Sequence, residues 1–254
     1  MALSTFQFSG GSLRFRTSMN VILPEDGKGP FPVLYLLHGL SDDHSVWCRN
    51  TSIERYVAAL PLIVVMPTTH RGWYTNGQAA GTYHYEDHII KDVIGHVDRL
   101  FRTIPDRAGR AIGGLSMGGY GAVKLGLKYP DLFCSIHSHS GAMTGPPRAG
   151  KDEWKRLSGP PAPEFAAMFG KKFLGGPHDL AVIARNCPKA RRPALRIDCG
   201  TEDFLLDANR LFHQTLTSLK FTHDYSEHPG NHNWAYWDQH IQAAIAFHRK
   251  ALKI

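Results

Sequence analysis

Residues 114–118 read Gly-Leu-Ser-Met-Gly, a G-x-S-x-G motif that lies where a predicted strand turns into a predicted helix. Residues 110–113 before it are short and apolar enough for a buried strand, and residues 120–129 after it have helical character that ends at Pro130. A serine on such a turn holds its hydroxyl above the edge of the sheet, in strained backbone geometry. The alternative is a glycine-rich turn whose serine has no catalytic role. The motif therefore indicates a nucleophile only if a base, an acid and oxyanion donors occur elsewhere in the chain.

Strands and helices alternate along most of the chain. Strands are predicted at residues 12–23, 32–37, 62–66, 110–113, 133–139, 194–199 and 221–227, the first of them antiparallel. Helices are predicted at residues 85–101, 120–129, 207–219 and 233–252. This alternation is typical of an α/β fold with a mainly parallel central sheet and helices on both faces. A chain of 254 residues with 43% hydrophobic content fits one such domain over residues 1–254.

One segment, residues 141–176, interrupts the alternation. It is rich in proline and glycine, yet it also carries Trp154, Phe165, Met168 and Phe169, which make it too apolar for a disordered linker. We expect a cap-like insertion with short helices over the carboxyl ends of the strands, the edge at which open α/β sheets bind ligands.

The net charge of +7 is concentrated in residues 146–196, which hold eleven basic and four acidic residues. A solvated surface is the simpler explanation, and a basic rim that attracts anionic esters is the alternative. Because the basic residues are scattered and no nucleic-acid module occurs, nucleic-acid binding is not expected.

The sequence gives no sign of a membrane or secreted protein. We find no signal peptide and no apolar stretch of membrane-spanning length. The four cysteines lack metal spacing and are expected to be free thiols, as in a reducing compartment. These features predict a cytoplasmic protein without membrane contact.

A serine nucleophile needs a base to take its proton and an acid to orient that base. In hydrolases with this kind of turn, the acid and then the histidine follow the serine along the chain. Asp203 lies just past the strand at residues 194–199 and is our candidate acid, with Glu202 and Asp207 as competitors.

The candidate base is His232, which follows the last predicted strand and precedes the last helix. His223 and His228 are nearby alternatives, but His228 precedes a proline and is expected to belong to the strand end. With fifteen histidines in the chain, position alone does not select one.

An oxyanion hole needs two backbone N–H groups directed at the developing negative charge. Met117 follows the serine and supplies one donor from the start of the helix. The second donor should come from the loop at residues 38–40, which follows the early strand at residues 32–37. Within that loop we select the N–H of Leu40.

Four motifs together resemble a known family. They are Leu-Leu-His-Gly-Leu at 36–40, Gly-Leu-Ser-Met-Gly-Gly-Tyr-Gly at 114–121, Gly-Thr-Glu-Asp-Phe-Leu at 200–205 and Gly-Asn-His-Asn-Trp at 230–234, accompanied by Trp47 and Trp237. Their order and spacing resemble the esterase D-type family of α/β-hydrolases, which includes S-formylglutathione hydrolases, tributyrin-type esterases, feruloyl and acetyl-xylan esterases, and mycolyltransferases. The resemblance implies an α/β-hydrolase fold, a triad of Ser116, Asp203 and His232, and oxyanion donors at Leu40 and Met117.

Further residues are weaker candidates for substrate contact. They are Trp47, Trp73, His139 and Trp234, with Trp154 as another possible member of an aromatic wall. His84 and His88 stand four residues apart, like metal ligands, but they lack an H-E-x-x-H pattern. We therefore expect a solvated helix face there and no metal site.

These observations predict a serine carboxylesterase that hydrolyses small acyl or aryl esters through an acyl-enzyme, without a cofactor. Its partner is expected to be a small-molecule ester, and a homo-oligomer is possible. One alternative is an acyltransferase that uses the same triad to pass the acyl group to an alcohol or sugar. Another is a non-catalytic binding protein on the same fold.

Overall fold

The computed structural model describes residues 1–145, 161–170 and 173–254 of the chain. Its strands are β1 (Ala2–Gly10), β2 (Phe15–Leu23), β3 (Val33–Leu37), β4 (Ile63–Pro67), β5 (Arg110–Leu115), β6 (Ser135–His139), β7 (Ala194–Gly200) and β8 (Asp224–His228). Its helices are α1 (Val46–Asn50), α2 (Ile53–Val57), α3 (Tyr85–Asp87), α4 (Ile94–Leu100), α5 (Met117–Lys128), α6 (Pro161–Phe169), α7 (Leu180–Asn186), α8 (Leu206–Ser218) and α9 (Trp234–Leu252). A π-helical stretch, His88–Val93, joins α3 to α4, and 3₁₀ turns occur at Arg107–Gly109 and Lys189–Arg191.

The eight strands form one sheet in the order β1-β2-β4-β3-β5-β6-β7-β8. The strands from β3 to β8 pair in parallel, whereas β1 and β2 pair antiparallel, as do β2 and β4. The prediction of a mainly parallel sheet is therefore confirmed, and the antiparallel strand predicted at residues 12–23 is β2. That strand begins only at Phe15 because a turn, in which the N–H groups of Leu13 and Arg14 donate to Gly10 O, separates it from β1.

Apolar side chains bury both faces of the central strands. Along β3, Tyr35 belongs to one hydrophobic core and its neighbours Leu34 and Leu36 belong to the other. Residues of α4, α5, α7 and α8 contribute to the first core, and α1, α2 and α9 contribute to the second. This arrangement explains why the central strands are continuous apolar runs. No helix in the described part of the chain has both the length and the hydropathy needed to cross a bilayer.

Strand β1 is absent from the sequence prediction, and its presence corrects another expectation. His84 is exposed, but His88 is fully buried, so the expectation of a solvated face is wrong for His88. The ring of Phe8 in β1 stacks on His88 at a centroid distance of 5.8 Å, and Asp92 bonds the imidazole at 3.2 Å. The edge strand β1 thus covers the face that carries His88, which the sequence analysis expected to be exposed to solvent.

The segment 141–176 is described only in part, because residues 146–160 and 171–172, including Trp154, lie outside the described residues. In the described part, Phe169 and Phe173 pack against Tyr120 of α5. The cap-like insertion, and with it the single domain over residues 1–254, stays a prediction.

The described basic residues of the segment 146–196 do not form a rim around the predicted site. Lys189, Arg191 and Arg192 directly precede β7 and therefore lie at the amino edge of the parallel strands, opposite to Ser116. Arg191 pairs with Asp131, and the Arg192 guanidinium lies 4.4 Å from the centre of the Phe221 ring. The remaining basic residues of the segment are Arg185, at the end of α7, Arg196, within β7, and Arg148, Lys151, Lys155, Arg156, Lys171 and Lys172, which lie outside the described residues.

Candidate active site

Ser116 occupies the single-residue turn between β5 and α5. Its backbone has φ 53° and ψ −118°, a conformation that L-residues seldom adopt and that the surrounding structure must hold in place. The last residue of β6 and the loop that follows it provide two of these constraints. Ser116 N–H donates to His139 O at 2.9 Å, and Ala142 N–H donates to Ser116 O at 3.1 Å. Both the N–H and the C=O of Ser116 are therefore hydrogen-bonded, and these two bonds hold the strained turn in place.

Two glycines let this turn approach the loop after β3. A Cβ atom on Gly118 would lie 2.5 Å from Leu37 O and 2.6 Å from His38 O. A Cβ atom on Gly114 would lie 2.7 Å from Leu37 O. Because backbone oxygen atoms cannot move aside without breaking the sheet, both positions require glycine.

The structure brings Ser116, His232 and Asp203 together in one chain of hydrogen bonds. Ser116 Oγ lies 3.0 Å from His232 Nε2, and His232 Nδ1 lies 3.1 and 2.9 Å from the two oxygens of Asp203. Asp203 is buried, and Leu205 N–H donates to its Oδ1 at 2.8 Å. With Nδ1–H donating to the carboxylate, His232 Nε2 is left as an acceptor for the serine proton.

None of the competing acids and bases is hydrogen-bonded to Ser116 or His232 in the described part of the chain. Glu202 is exposed, and its carboxylate accepts from Gly230 N–H and Thr201 Oγ. Asp207 is exposed in the first turn of α8. His228 bonds Ser226 Oγ at 3.1 Å, and His223 pairs with His213 at 2.8 Å.

Leu40 and Met117, the predicted oxyanion donors, both lie near Ser116. Leu40 lines the same cavity as Ser116, in the loop that follows β3. Met117 is the first residue of α5, so its N–H has no acceptor within the helix. The assignment of the backbone N–H groups at these two positions as oxyanion donors stays a prediction.

A cavity of about 310 Å³ opens beside Ser116. Its described lining comprises Gly39, Leu40, Asp42, Leu115, Ser116, Phe204, Leu205, His232, Asn233, Trp234 and Trp237. Its aromatic walls suit an apolar acyl or aryl group. Asp42 is the one acidic side chain in this described lining, and partial burial together with the charge of Asp43 raises the pKa of its carboxyl group.

Of the predicted substrate contacts, Trp234 lines this cavity, whereas the structure corrects the other three. Trp47 is fully buried, its Nε1–H donates to Leu37 O at 3.1 Å, and its ring meets Trp234 edge-on. Trp73 is buried against Tyr120. His139 is fully buried, with Nδ1 bound to Asp198 at 2.8 Å.

The sequence reasoning missed three of the residues that line the cavity: Asp42, Phe204 and Asn233. Phe204 and Asn233 belong to two of the quoted motifs, and Asp42 lies two residues after another. This closeness to the candidate residues is the signal that would have selected them. Within the residues that the structure describes, no group of three or more His, Cys, Asp and Glu side chains is arranged to hold a metal ion.

A family model and two curated relatives agree on the family to which this chain is similar. A family model described as "Putative esterase" matches residues 11–248. Esterase Rv1288 of Mycobacterium tuberculosis (strain ATCC 25618 / H37Rv) is 30% identical, and the match covers 89% of this chain and 55% of the relative. The chain thus spans about half the length of that relative. The acetyl esterase of Caldicellulosiruptor saccharolyticus is 26% identical over 98% of this chain and 99% of its own.

Comparison with solved structures agrees with the sequence comparison. The substrate-bound structure of FphF, a fluorophosphonate-binding serine hydrolase of Staphylococcus aureus, superimposes with a TM-score of 0.87 at 31% identity. The match covers 97% of each chain. The predicted α/β-hydrolase fold is therefore confirmed.

The close approach of the serine turn to the loop after β3 predicts how two glycine substitutions differ. Gly118→Ala should lower the free energy of unfolding by about 1–3 kcal/mol, because the new Cβ has no room against two carbonyl oxygens. Gly95→Ala is the matched control, since that glycine is exposed in α4 with nothing within 4 Å of an added Cβ. It should raise the same free energy by about 0.5–1 kcal/mol. Urea unfolding of both variants tests this, and an unchanged Gly118→Ala would contradict the packing described.

Proposed function

The chain belongs to the putative esterase family, and we propose that it is a serine carboxylesterase with Ser116 as nucleophile, His232 as base and Asp203 as the orienting acid. The observation that carries the proposal is the unbroken hydrogen-bond chain from Ser116 Oγ through His232 to Asp203. This arrangement solves the problem that a serine hydroxyl is a poor nucleophile at neutral pH.

In the proposed reaction, Ser116 Oγ attacks the ester carbonyl carbon while its proton passes to His232 Nε2. Asp203 keeps the imidazole in the required tautomer and stabilises its charged form without taking the proton. The negative charge on the former carbonyl oxygen is stabilised by the N–H groups of Leu40 and Met117. His232 then protonates the departing alcohol, which leaves the acyl group on Ser116.

Hydrolysis of the acyl-enzyme repeats these roles with water. His232 takes a proton from water as the water attacks the acyl carbon, and the proton returns to Ser116 Oγ as the acid leaves. Each step uses only protein groups and water. Because the relatives named above are described as esterases and a serine hydrolase, we propose water, rather than a sugar or another alcohol, as the acyl acceptor.

The cavity supports a small substrate. Its volume of about 310 Å³ is at the lower end of the range for small-molecule sites. Phe204, Trp234 and Trp237 provide flat apolar surfaces for a short acyl or aryl group. We propose small neutral esters as the substrate class, in keeping with the acetyl esterase activity named for one relative.

We also propose a cytoplasmic location. All four cysteines, at positions 48, 134, 187 and 199, are free thiols in the structure. Free thiols without disulfide partners are typical of proteins in reducing compartments.

The triad assignment makes a prediction that separates Asp203 from its neighbours. Asp203→Asn should lower kcat for hydrolysis of 4-nitrophenyl acetate by about 10⁴-fold, because the amide no longer selects the tautomer of His232. Glu202→Gln and Asp207→Asn are matched controls, since both remove one nearby carboxylate that does not contact His232. Their kcat should change less than about tenfold, because glutamine at position 202 keeps an oxygen that accepts from Gly230 N–H, and Asp207 is exposed. Greater sensitivity at Glu202 or Asp207 than at Asp203 would refute the assignment.

Because the Asp42 carboxylate is negatively charged, we expect the site to disfavour anionic esters. This expectation is the opposite of the basic-rim hypothesis, in which anionic esters are attracted. It lines the cavity beside Ser116, and the described lining contains no lysine or arginine. Asp42→Asn should raise kcat/KM for mono(4-nitrophenyl) succinate, relative to that for neutral 4-nitrophenyl butyrate, by about tenfold through loss of charge repulsion.

The control is Asp43→Asn, which removes the same charge one residue further on. The Asp43 carboxylate bonds Ser45 rather than facing the cavity, so the substrate ratio should change much less. An equal change in both variants, or none in Asp42→Asn, would rule out charge selection by Asp42.

A further inference from the structure

The end of β3 and the loop that follows it have three successive carbonyl groups, and each of them is hydrogen-bonded by a side chain. Trp47 Nε1–H donates to Leu37 O at 3.1 Å, and the hydroxyl of Tyr74 donates to His38 O at 2.9 Å. The third carbonyl, Gly39 O, lies 2.7 Å from Nδ1 of the His38 ring. All three of these side chains are buried.

The structure determines which nitrogen of His38 carries the proton. Thr69 N–H donates to His38 Nε2 at 2.9 Å, and a backbone N–H cannot act as an acceptor. Nε2 therefore carries a lone pair, and the proton of the neutral ring is on Nδ1. From there it donates to Gly39 O.

Fixing Gly39 O also fixes the direction of the next N–H. The peptide between Gly39 and Leu40 is trans, since the described part of the chain has its cis bond at Gly29–Pro30. In a trans peptide the C=O and N–H groups point in opposite directions. With Gly39 O directed at His38, the N–H of Leu40 is directed away from it, and Leu40 lines the cavity that contains Ser116.

We propose that His38 is a positioning residue for ester hydrolysis, which acts by holding the Gly39–Leu40 peptide so that the Leu40 N–H faces the oxyanion. The inference rests on the proposed function, because it needs Leu40 as an oxyanion donor. His38 itself touches neither the substrate nor Ser116. Its effect is on the transition state, where the oxygen becomes negative, and not on binding of the neutral ester.

The environment of His38 keeps the ring in this form. Full burial lowers its pKa to about 4, so the ring stays neutral at the pH at which a serine esterase works. A protonated ring would also place an Nε2–H against the Thr69 N–H, which is the nearer of the two groups that Thr69 presents to Nε2. Gly39 O accepts a second bond from Asp42 N–H at 3.3 Å, which restrains the same peptide from the other side.

Two isosteric substitutions separate the two hydrogen bonds of the ring. His38→Asn can place its amide NH₂ at the position of Nδ1 and so keep the bond to Gly39 O. His38→Gln can place its amide oxygen at the position of Nε2, which keeps the bond from Thr69 N–H and loses the one to Gly39 O. We expect His38→Asn to retain kcat within about tenfold, and His38→Gln to lose about 10²-fold in kcat at little changed KM.

A trifluoromethyl ketone forms a tetrahedral adduct with the serine, and its inhibition constant therefore reports on the oxyanion site. A residue with only a structural role would leave this inhibition constant unchanged. The inhibition constant should rise with the loss of kcat in His38→Gln and stay near the wild-type value in His38→Asn. Equal inhibition constants and equal kcat in the two variants would overturn the inference. Wild-type protein that neither hydrolyses esters nor binds the ketone would instead overturn the proposed function.

A measurement on the unaltered protein covers the case in which a variant does not fold. Nitrogen-15 NMR of the histidine rings should show one ring, assigned to His38, as the neutral Nδ1–H tautomer with no titration between pH 8 and 5. An Nε2–H tautomer, or protonation in that range, would contradict the positioning role.

Discussion

The close approach of two backbone segments underlies the whole candidate site. The carbonyl oxygens of Leu37 and His38 lie only 2.5 and 2.6 Å from the position that a Cβ atom on residue 118 would take. Parallel pairing of β3 with β5 puts Leu37 opposite Gly114, so the register of the sheet and the two glycines determine the same contact. Because of it, the strained Ser116 and the loop that ends at Leu40 open onto one cavity. A larger separation would leave the nucleophile and its proposed oxyanion donor on different surfaces.

Asp203 and His232, the other two residues of the proposed triad, lie in the loops after β7 and β8. The two loops also pack closely, since a Cβ on Gly200 would lie 2.1 Å from Gly230 O. Glu202 bonds the N–H of Gly230 and so ties the loop that carries Asp203 to the loop that carries His232. Glu202, which the sequence offered as an alternative to Asp203, thus binds the backbone of the neighbouring loop instead. Catalysis by such a site depends on preorganised geometry rather than on any single strong interaction.

The sequence predicted most of this arrangement, and the differences have physical causes. Motif order and the family resemblance together pointed to Ser116, Asp203 and His232, and hydrogen bonds join these three residues in the structure. Strand β1 was missed because it is an edge strand with polar residues at alternate positions, not a continuous apolar run. The roles of Trp47 and Trp73 were not predictable, since only tertiary packing decides whether an aromatic side chain lines a cavity or fills the core. The tautomer of His38 depends on Thr69, thirty-one residues away, and no local pattern encodes it.

The central claim is that Ser116 is an activated nucleophile, and covalent labelling tests it most directly. Folded protein treated with a fluorophosphonate should take up one equivalent of the reagent, with peptide mapping placing it on Ser116 and ester hydrolysis lost in proportion. Ser116→Ala should remain folded, take up none and have a kcat lower by about 10⁴–10⁶-fold. Folded wild-type protein that stays unlabelled, labelling at another residue, or activity retained in Ser116→Ala would contradict the account.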